Sequence, residues 1–274
     1  MPHWTSAVCR TNGIDIHYLR SGGARPAVVL LHGLMGSGAC WTRVARALEG
    51  AFDVVMPDAR GHGGSSAPAR GYRYEDLAGD VIALIDALAL AQPVLVGHSM
   101  GGMTAAVAAS RGSGSGRMRA LVLVDPTFLG LERQREVHES GVAAQHRRAL
   151  GLTRAELIAE ARARHPERPI EILEYQAEAR LNTRMAALDV LTPPNPAYRE
   201  VMRAVDVPCL LVTGVRDPVV TPAMALELRE LNPCVRIAQV PDAGHGLPFQ
   251  QPARLAAIVA SFLRQLPPAV ALRT

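Results

Sequence analysis

Lysine is absent from this chain of 274 residues, and all 29 of its Lys/Arg positions are arginine. That excludes Schiff-base chemistry on a lysine and the phosphate-binding lysine of a P-loop. Cysteine is scarce. Cys9, Cys40, Cys209 and Cys234 are scattered without C-x-x-C spacing, which argues against a zinc ribbon or a dithiol redox motif. A domain of this size needs no disulfide. No apolar run approaches the roughly 20 residues of a membrane-spanning helix. The start, Met1-Pro2-His3-Trp4, lacks the basic-then-apolar profile of a secretory leader. A cytoplasmic location without stable membrane insertion is the expectation. The formal charge is +4, but the arginines are interspersed with Glu and Asp, with no basic stripe or interleaved aromatics. Nucleic acid is therefore not an expected partner. His32, His62 and His98 have no metal-ligand spacing, and neither a metal nor an organic cofactor is implied.

What is present is a rhythm of short apolar runs and amphipathic stretches. With 49% hydrophobic residues the chain can bury a sizeable core. Ala7–Arg10 and Ile14–Leu19 flank Asn12-Gly13, a strong hairpin signal. Ala27–Leu31, Phe52–Pro57, Val94–Val96, Ala120–Val124, Pro208–Thr213 and Val235–Val240 read as further strands, most of them continuously apolar, as strands covered on both faces are. Helices are predicted from about Ala39 to Leu48, Tyr74 to Leu88, Met103 to Ala109, Pro222 to Leu231 and Pro252 to Leu266. From Thr127 to Ala204 the composition turns Arg/Glu/Ala-rich, and helices are predicted near 131–149, 153–164, 169–188 and 196–204. The tail Pro267–Thr274 reads as loose. Strands alternating with helices imply a mostly parallel sheet with helices on both faces. Chemistry in such sheets sits at the carboxyl ends of the strands.

One turn at such an end stands out. Val94-Leu95-Val96 runs into Gly97-His98-Ser99-Met100-Gly101-Gly102, and a good helix follows. Strand, sharp turn and helix put a serine at the apex. Gly97 and Gly101 leave space where a Cβ would collide with neighbouring backbone. The Met100 amide opens the helix beside the hydroxyl, where negative charge is favoured. A serine nucleophile needs a base and an orienting carboxylate. Asp217 lies after the penultimate strand and His245 after the last, giving the chain order Ser, acid, His on one sheet edge. Asp125, ending the strand after the nucleophile's helix, is the rival for the acid.

From about Ala27 to Leu266 the chain resembles the α/β-hydrolase superfamily. Four motifs carry the resemblance: His32-Gly33, Asp58-x-Arg60-Gly61-x-Gly63-x-Ser65, Gly97-x-Ser99-x-Gly101, and Asp217 with Gly244-His245. It implies an α/β-hydrolase fold with a mostly parallel eight-stranded sheet. Residues 1–126 and 205–274 would form the core, and 127–204 an inserted helical cap. It also implies Ser99 as nucleophile, His245 as general base and acid, Asp217 as the orienting carboxylate, and the amides of Leu34 and Met100 as oxyanion hole. His32, Asp58, Arg60 and His62 would brace the neighbouring loops, and His98 would point away from the site.

Met35, Phe128, Leu129, Leu247 and Phe249, with Leu34 and Met100, are candidates to line an apolar pocket, whereas Met103 reads as core. Arg180 and Arg184 could meet a substrate carboxylate, but pairing with Glu on solvated helix faces is favoured. The expected activity is hydrolysis of a carboxylic ester or lactone of a small, largely apolar molecule through an acyl-enzyme, by a monomer or homodimer. Ser at position 99 disfavours epoxide hydrolase and haloalkane dehalogenase. Gly246, where carbon–carbon hydrolases usually carry Trp, lowers that alternative. A cofactor-free lyase or haloperoxidase-like enzyme, and a non-catalytic binding protein on this fold, are the remaining alternatives.

Overall fold

The computed structural model describes residues 4–266; the expectation for the tail Pro267–Thr274 lies outside them. The chain opens with β1 (Thr5–Thr11) and β2 (Ile14–Arg20). They pair antiparallel across Asn12 and Gly13, both at positive φ (49° and 76°), as a two-residue hairpin turn requires. Then follow β3 (Ala27–Leu31), a 3-10 turn (Gly38–Trp41), α1 (Thr42–Leu48), β4 (Asp53–Pro57), α2 (Tyr74–Ala87), β5 (Val94–His98), α3 (Met100–Arg111) and β6 (Ala120–Val124). After a helical stretch come β7 (Cys209–Gly214), α9 (Pro222–Leu231), β8 (Val235–Val240), α10 (Leu247–Gln250) and α11 (Pro252–Arg264).

The eight strands form one sheet in the order β1-β2-β4-β3-β5-β6-β7-β8. Pairing is parallel from β4 to β8, and only β1–β2 and β2–β4 are antiparallel. This is the expected α/β-hydrolase architecture. β3 to β7 are buried along their whole length, so alternation does not show in their sequence but does in their packing. Val29 and Leu31 join a core with Leu77 and Ala78 of α2 and Met103 and Val107 of α3. Val28 and Leu30 face the other way, onto Val44 and Leu48 of α1 and Leu255, Val259 and Phe262 of α11. Each such Leu or Val removed from water contributes about 1.5–3 kcal/mol. β5 therefore sits mid-sheet, sealed on both faces, and its carboxyl end is a rigid platform.

Between β6 and β7 the described chain is helical: α4 (Leu131–Glu139), α5 (Val142–Leu150), α6 (Arg154–Arg164), α7 (Ile170–Leu181), a 3-10 stretch (Met185–Leu191) and α8 (Tyr198–Arg203). The single helix predicted over 131–149 is two, because Gly141 adopts φ 78° and turns the chain. The one predicted over 169–188 ends at Leu181 and resumes as the 3-10 stretch. α6 opens with a capping box between Thr153 and Glu156. No helix among the described residues is long and apolar enough to cross a membrane.

Candidate active site

Ser99 joins β5 to α3 with φ 54° and ψ −118°, a strained conformation for a residue with a Cβ. Its neighbours allow it by having no side chains. A Cβ on Gly97 would lie 2.1 Å from the Gly101 carbonyl oxygen, and one on Gly101 2.2 Å from the Leu31 carbonyl oxygen. The backbone is pinned on both sides: the Ser99 amide donates to the Val124 carbonyl (3.1 Å), and the Ser99 carbonyl accepts from Thr127 (3.2 Å) as well as from the helix.

His245 lies between a serine and a carboxylate. Its Nε2 is 3.0 Å from Ser99 Oγ and its Nδ1 is 2.7 Å from Asp125 Oδ2. Asp125 is fully buried, and its two oxygens also accept the amides of Val219 (3.0 Å) and Val220 (2.9 Å). This corrects the sequence expectation. Asp217, chosen as the carboxylate, is exposed and makes no hydrogen bond to His245. The reason lies in the loop after β7. It packs so closely on the Ala243 segment that a Cβ on Gly214 would meet the Ala243 carbonyl at 2.3 Å. From there it offers its own amides, two and three residues past Asp217, to the carboxylate at the end of β6. The segment expected to supply the acid supplies the acid's donors.

The loop after β3 completes the floor. Gly33 rests on the elbow, since a Cβ there would be 3.2 Å from Ser99 Cβ. Met35 adopts φ 61°, and its amide donates to His62 Nε2 (3.2 Å), while His62 Nδ1 donates to the Arg60 carbonyl (3.0 Å). His32 accepts from the Ala59 amide at Nε2 (2.9 Å) and donates from Nδ1 to the Gly33 carbonyl (2.8 Å). Burial pushes His62 down to about 3 and lowers His32 as well, so both are neutral struts at pH 7. Asp58 accepts from the Gly38 (2.7 Å) and Gly64 (2.9 Å) amides, and Arg60 pairs with buried Asp80 at 2.5 Å. These residues brace loops, as expected. The amides of Leu34 and Met100 have no acceptor among the described residues.

His98 departs from expectation. Instead of pointing away, it stands behind His245, donating from Nε2 to the His245 carbonyl at 2.7 Å, and burial pushes it down to about 3.

Ser99 and His245 open into a cavity of about 800 Å³ between the core and the helices inserted after β6. Leu34, Met35, Met100 and Phe249 line its floor, as read from the sequence. Phe128 and Leu247 do not reach it: both are fully buried, Phe128 stacked on Tyr198 and Leu247 against α11 and its neighbours. Leu129 lines a smaller side pocket with Thr127 and Leu191. The helices inserted after β6 line the rest of it with apolar side chains such as Val142, Ala149 and Leu157 and, among the described residues, with four arginines and one glutamate. Sequence reasoning missed Arg168 among them. Its one signal is its place in Pro166-Glu167-Arg168-Pro169, a break that takes it off the solvated helix faces. Among the described residues, no cluster of His, Cys, Asp and Glu could hold a metal ion.

Residues 28–258 match the sequence profile of the alpha/beta hydrolase family. The chain belongs to that family. Among the relatives of this alpha/beta hydrolase, the N-formylmaleamate deformylase of Pseudomonas putida is 32% identical over 241 residues, 87% of this chain and 88% of its own. The 2-(acetamidomethylene)succinate hydrolase of Mesorhizobium japonicum is 27% identical over 241 residues, 83% of this chain and 84% of its own. Among solved structures, the enol-lactonase of Burkholderia xenovorans LB400 superimposes with a TM-score of 0.76 at 26% identity, covering 94% of this chain and all of that one. Alpha/beta hydrolases that open different bonds thus share this frame.

Proposed function

We infer that the protein is a serine hydrolase that cleaves a small acyl compound, an ester or lactone, through an acyl-enzyme on Ser99. The observation that carries this reading is the unbroken chain Ser99 Oγ–His245–Asp125 (3.0 and 2.7 Å) at the floor of the cavity. His245 Nε2 takes the Ser99 proton as Oγ attacks the carbonyl. Asp125 holds the imidazole in the tautomer that leaves Nε2 free and stabilises the imidazolium that forms. The Leu34 and Met100 amides, the latter at a helix N-terminus, receive the tetrahedral oxyanion; loss of one such donor lowers the rate by about 10²–10³. His245 then passes its proton to the leaving group and activates the water that releases the acyl group. The helices of residues 127–204 act as the cap over this cavity, where they limit access of water and substrate.

A second reading, in which the bond opened is an acyl C–N bond, is favoured by the two relatives named above for N-formyl and acetamido compounds. The chain of proton transfers is the same for both.

Labelling with a fluorophosphonate, run beside turnover of p-nitrophenyl esters of graded chain length, lactones and N-formyl amides, tests the proposal. The wild type is expected to label and Ser99→Ala to do neither. A folded wild type that neither labels nor turns over any of the panel would overturn it. The relative rates on esters and amides choose between the two readings.

A further inference from the structure

Arg168 lies between α6 and α7, nine-tenths buried, on the wall of the cavity that holds Ser99. Its guanidinium reaches towards His245: a Cβ on the next residue, Gly246, would stand 3.3 Å from its Nη2. The Phe249 ring lies beneath it, 5.9 Å from Cζ to the ring centre. Among the described residues its one side-chain hydrogen bond goes to a neutral acceptor, Gln176 Oε1, at 3.2 Å from Nη1. Its Nε is buried with no partner, and no carboxylate pairs with it among the described residues.

A buried cation is ordinarily paired, because desolvation without a counter-charge costs several kcal/mol. Nearby charges relieve this one only in part: burial outweighs the attraction of Glu167, which lies towards His165 at 3.9 Å rather than pairing with Arg168, and Arg164 adds repulsion. Glu160, the sole carboxylate on the cavity wall among the described residues, meets Arg148 in a two-pronged contact at 2.5 and 3.2 Å. Arg180, half-buried on the last turn of α7, lines the same cavity with its Nε buried and unpartnered. Burial and the cations Arg164 and Arg148 weigh on it, and the attraction of Glu160 offsets them only in part. Burial lowers both Arg168 and Arg180 from the ordinary guanidinium value, yet each remains charged at neutral pH. Elsewhere the same helices pair their arginines, as with Arg154 and Glu174 at 3.7 Å.

We propose that Arg168 is a specificity-determining residue that holds a carboxylate of the substrate beside His245, with Arg180 drawing a second anionic group elsewhere in the same cavity. This rests on the reading of Ser99 as the acylated residue and narrows its substrate class to acyl compounds carrying at least one carboxylate. The planar fork of a guanidinium accepts a carboxylate through two parallel hydrogen bonds, and Arg168 still has an Nε–H to give. Held there, the carboxylate fixes which carbonyl of the substrate meets Ser99.

The experiment reads the rate at which an uncharged fluorophosphonate labels Ser99, with and without competitors: aliphatic dicarboxylates from malonate to adipate, and succinamide as the uncharged counterpart of succinate. At millimolar concentration at least one dicarboxylate should slow labelling tenfold or more while succinamide does not. The ratio of rates without and with that dicarboxylate should fall at least fivefold in Arg168→Gln, recover in part in Arg168→Lys, and fall by a smaller factor in Arg180→Gln. Each ratio is internal to one protein, so a change in its intrinsic labelling rate drops out. Labelling that no dicarboxylate slows, or that succinamide slows as well, overturns the carboxylate site and leaves the serine hydrolase standing. A wild type that is never labelled overturns the hydrolase reading itself.

Discussion

Ser99–His245–Asp125 and Ser6–His17–Asp58 share one wiring pattern. In each, a buried aspartate accepts two backbone amides: Val219 and Val220 for Asp125, Gly38 and Gly64 for Asp58. In each, a histidine Nδ1 meets the carboxylate, at 2.7 Å for His245 and 2.8 Å for His17. In each, Nε2 meets a serine oxygen, at 3.0 Å for Ser99 and 2.9 Å for Ser6. The surroundings differ. Ser99 sits on a strained elbow at a helix N-terminus, beside two amides without acceptors and under a cavity. Ser6 is an exposed residue of regular edge strand β1, paired in register with Leu19. The second chain fastens the antiparallel hairpin to the loop after β4. Three side chains in the right order define a proton path. An acyl site also needs a place for the oxyanion and a place for the substrate.

Exchanging the serines gives the sharpest break. Ser99→Ala should lower kcat by on the order of 10⁶, since the three residues act as a unit. Ser6→Ala should leave kcat within a factor of two. Steady-state assays on one good ester or amide substrate check both, and a large loss in Ser6→Ala would end the distinction drawn between the two chains. Exchanging the carboxylates comes next. Asp125→Asn should lower kcat by about 10⁴, because an amide cannot hold the imidazole in the required tautomer. Asp217→Asn, on an exposed loop, should change kcat by less than about threefold. The reverse pattern would return the acid to Asp217.

A smaller effect separates the two backbones. Gly97→Ala drives a Cβ to 2.1 Å from a backbone oxygen that cannot yield, so the elbow must shift. Destabilisation of about 3 kcal/mol or more is expected by denaturant titration, at the upper end of overpacking effects. Gly64→Ala places a Cβ 3.0 Å from His17 Cγ, a side-chain contact that a shift of a few tenths of an ångström would relieve. It should cost less than half as much. Equal losses would mean that the elbow is no more constrained than the brace.

These contrasts also mark what the sequence could reveal. The elbow was legible because its constraint is local: Gly97 and Gly101 are required within four residues of backbone. The parallel sheet was legible from short, continuously apolar strands such as Ala27–Leu31. The partner of His245 was not, because Asp125 and Asp217 both end strands on the same edge. Only the path of the loop through Val219 and Val220 decides which carboxylate turns inward. Hydrophobicity marked Phe128 and Leu247 as apolar without saying whether core or cavity would receive them. Arg168 was hidden for the opposite reason. An arginine in an Arg/Glu-rich helical stretch reads as solvated, and its lack of a carboxylate partner exists only in three dimensions.

The smallest effect lies in the brace itself and has a sign fixed by linkage. The hydrogen bond to Asp58 raises His17 above its ordinary 6.5, while Asp58 is held below the ordinary carboxylate value by that same bond and by its amide donors, against its burial. A histidine raised on folding contributes stability that is fully present below its unfolded pKa and is lost as pH rises through the folded one. Asp58 remains ionised across that window, so the pair is at full strength near pH 5.5 and weaker at pH 9. His17 is part-exposed, which screens the pair and limits the effect to a few tenths of a kcal/mol up to about 1. Urea titrations of the wild type and His17→Gln at the two pH values should therefore show the larger difference at pH 5.5. A larger difference at pH 9 would mean that the histidine is neutral in the folded protein, and that the second chain, unlike an ion pair, acts only through hydrogen-bond geometry.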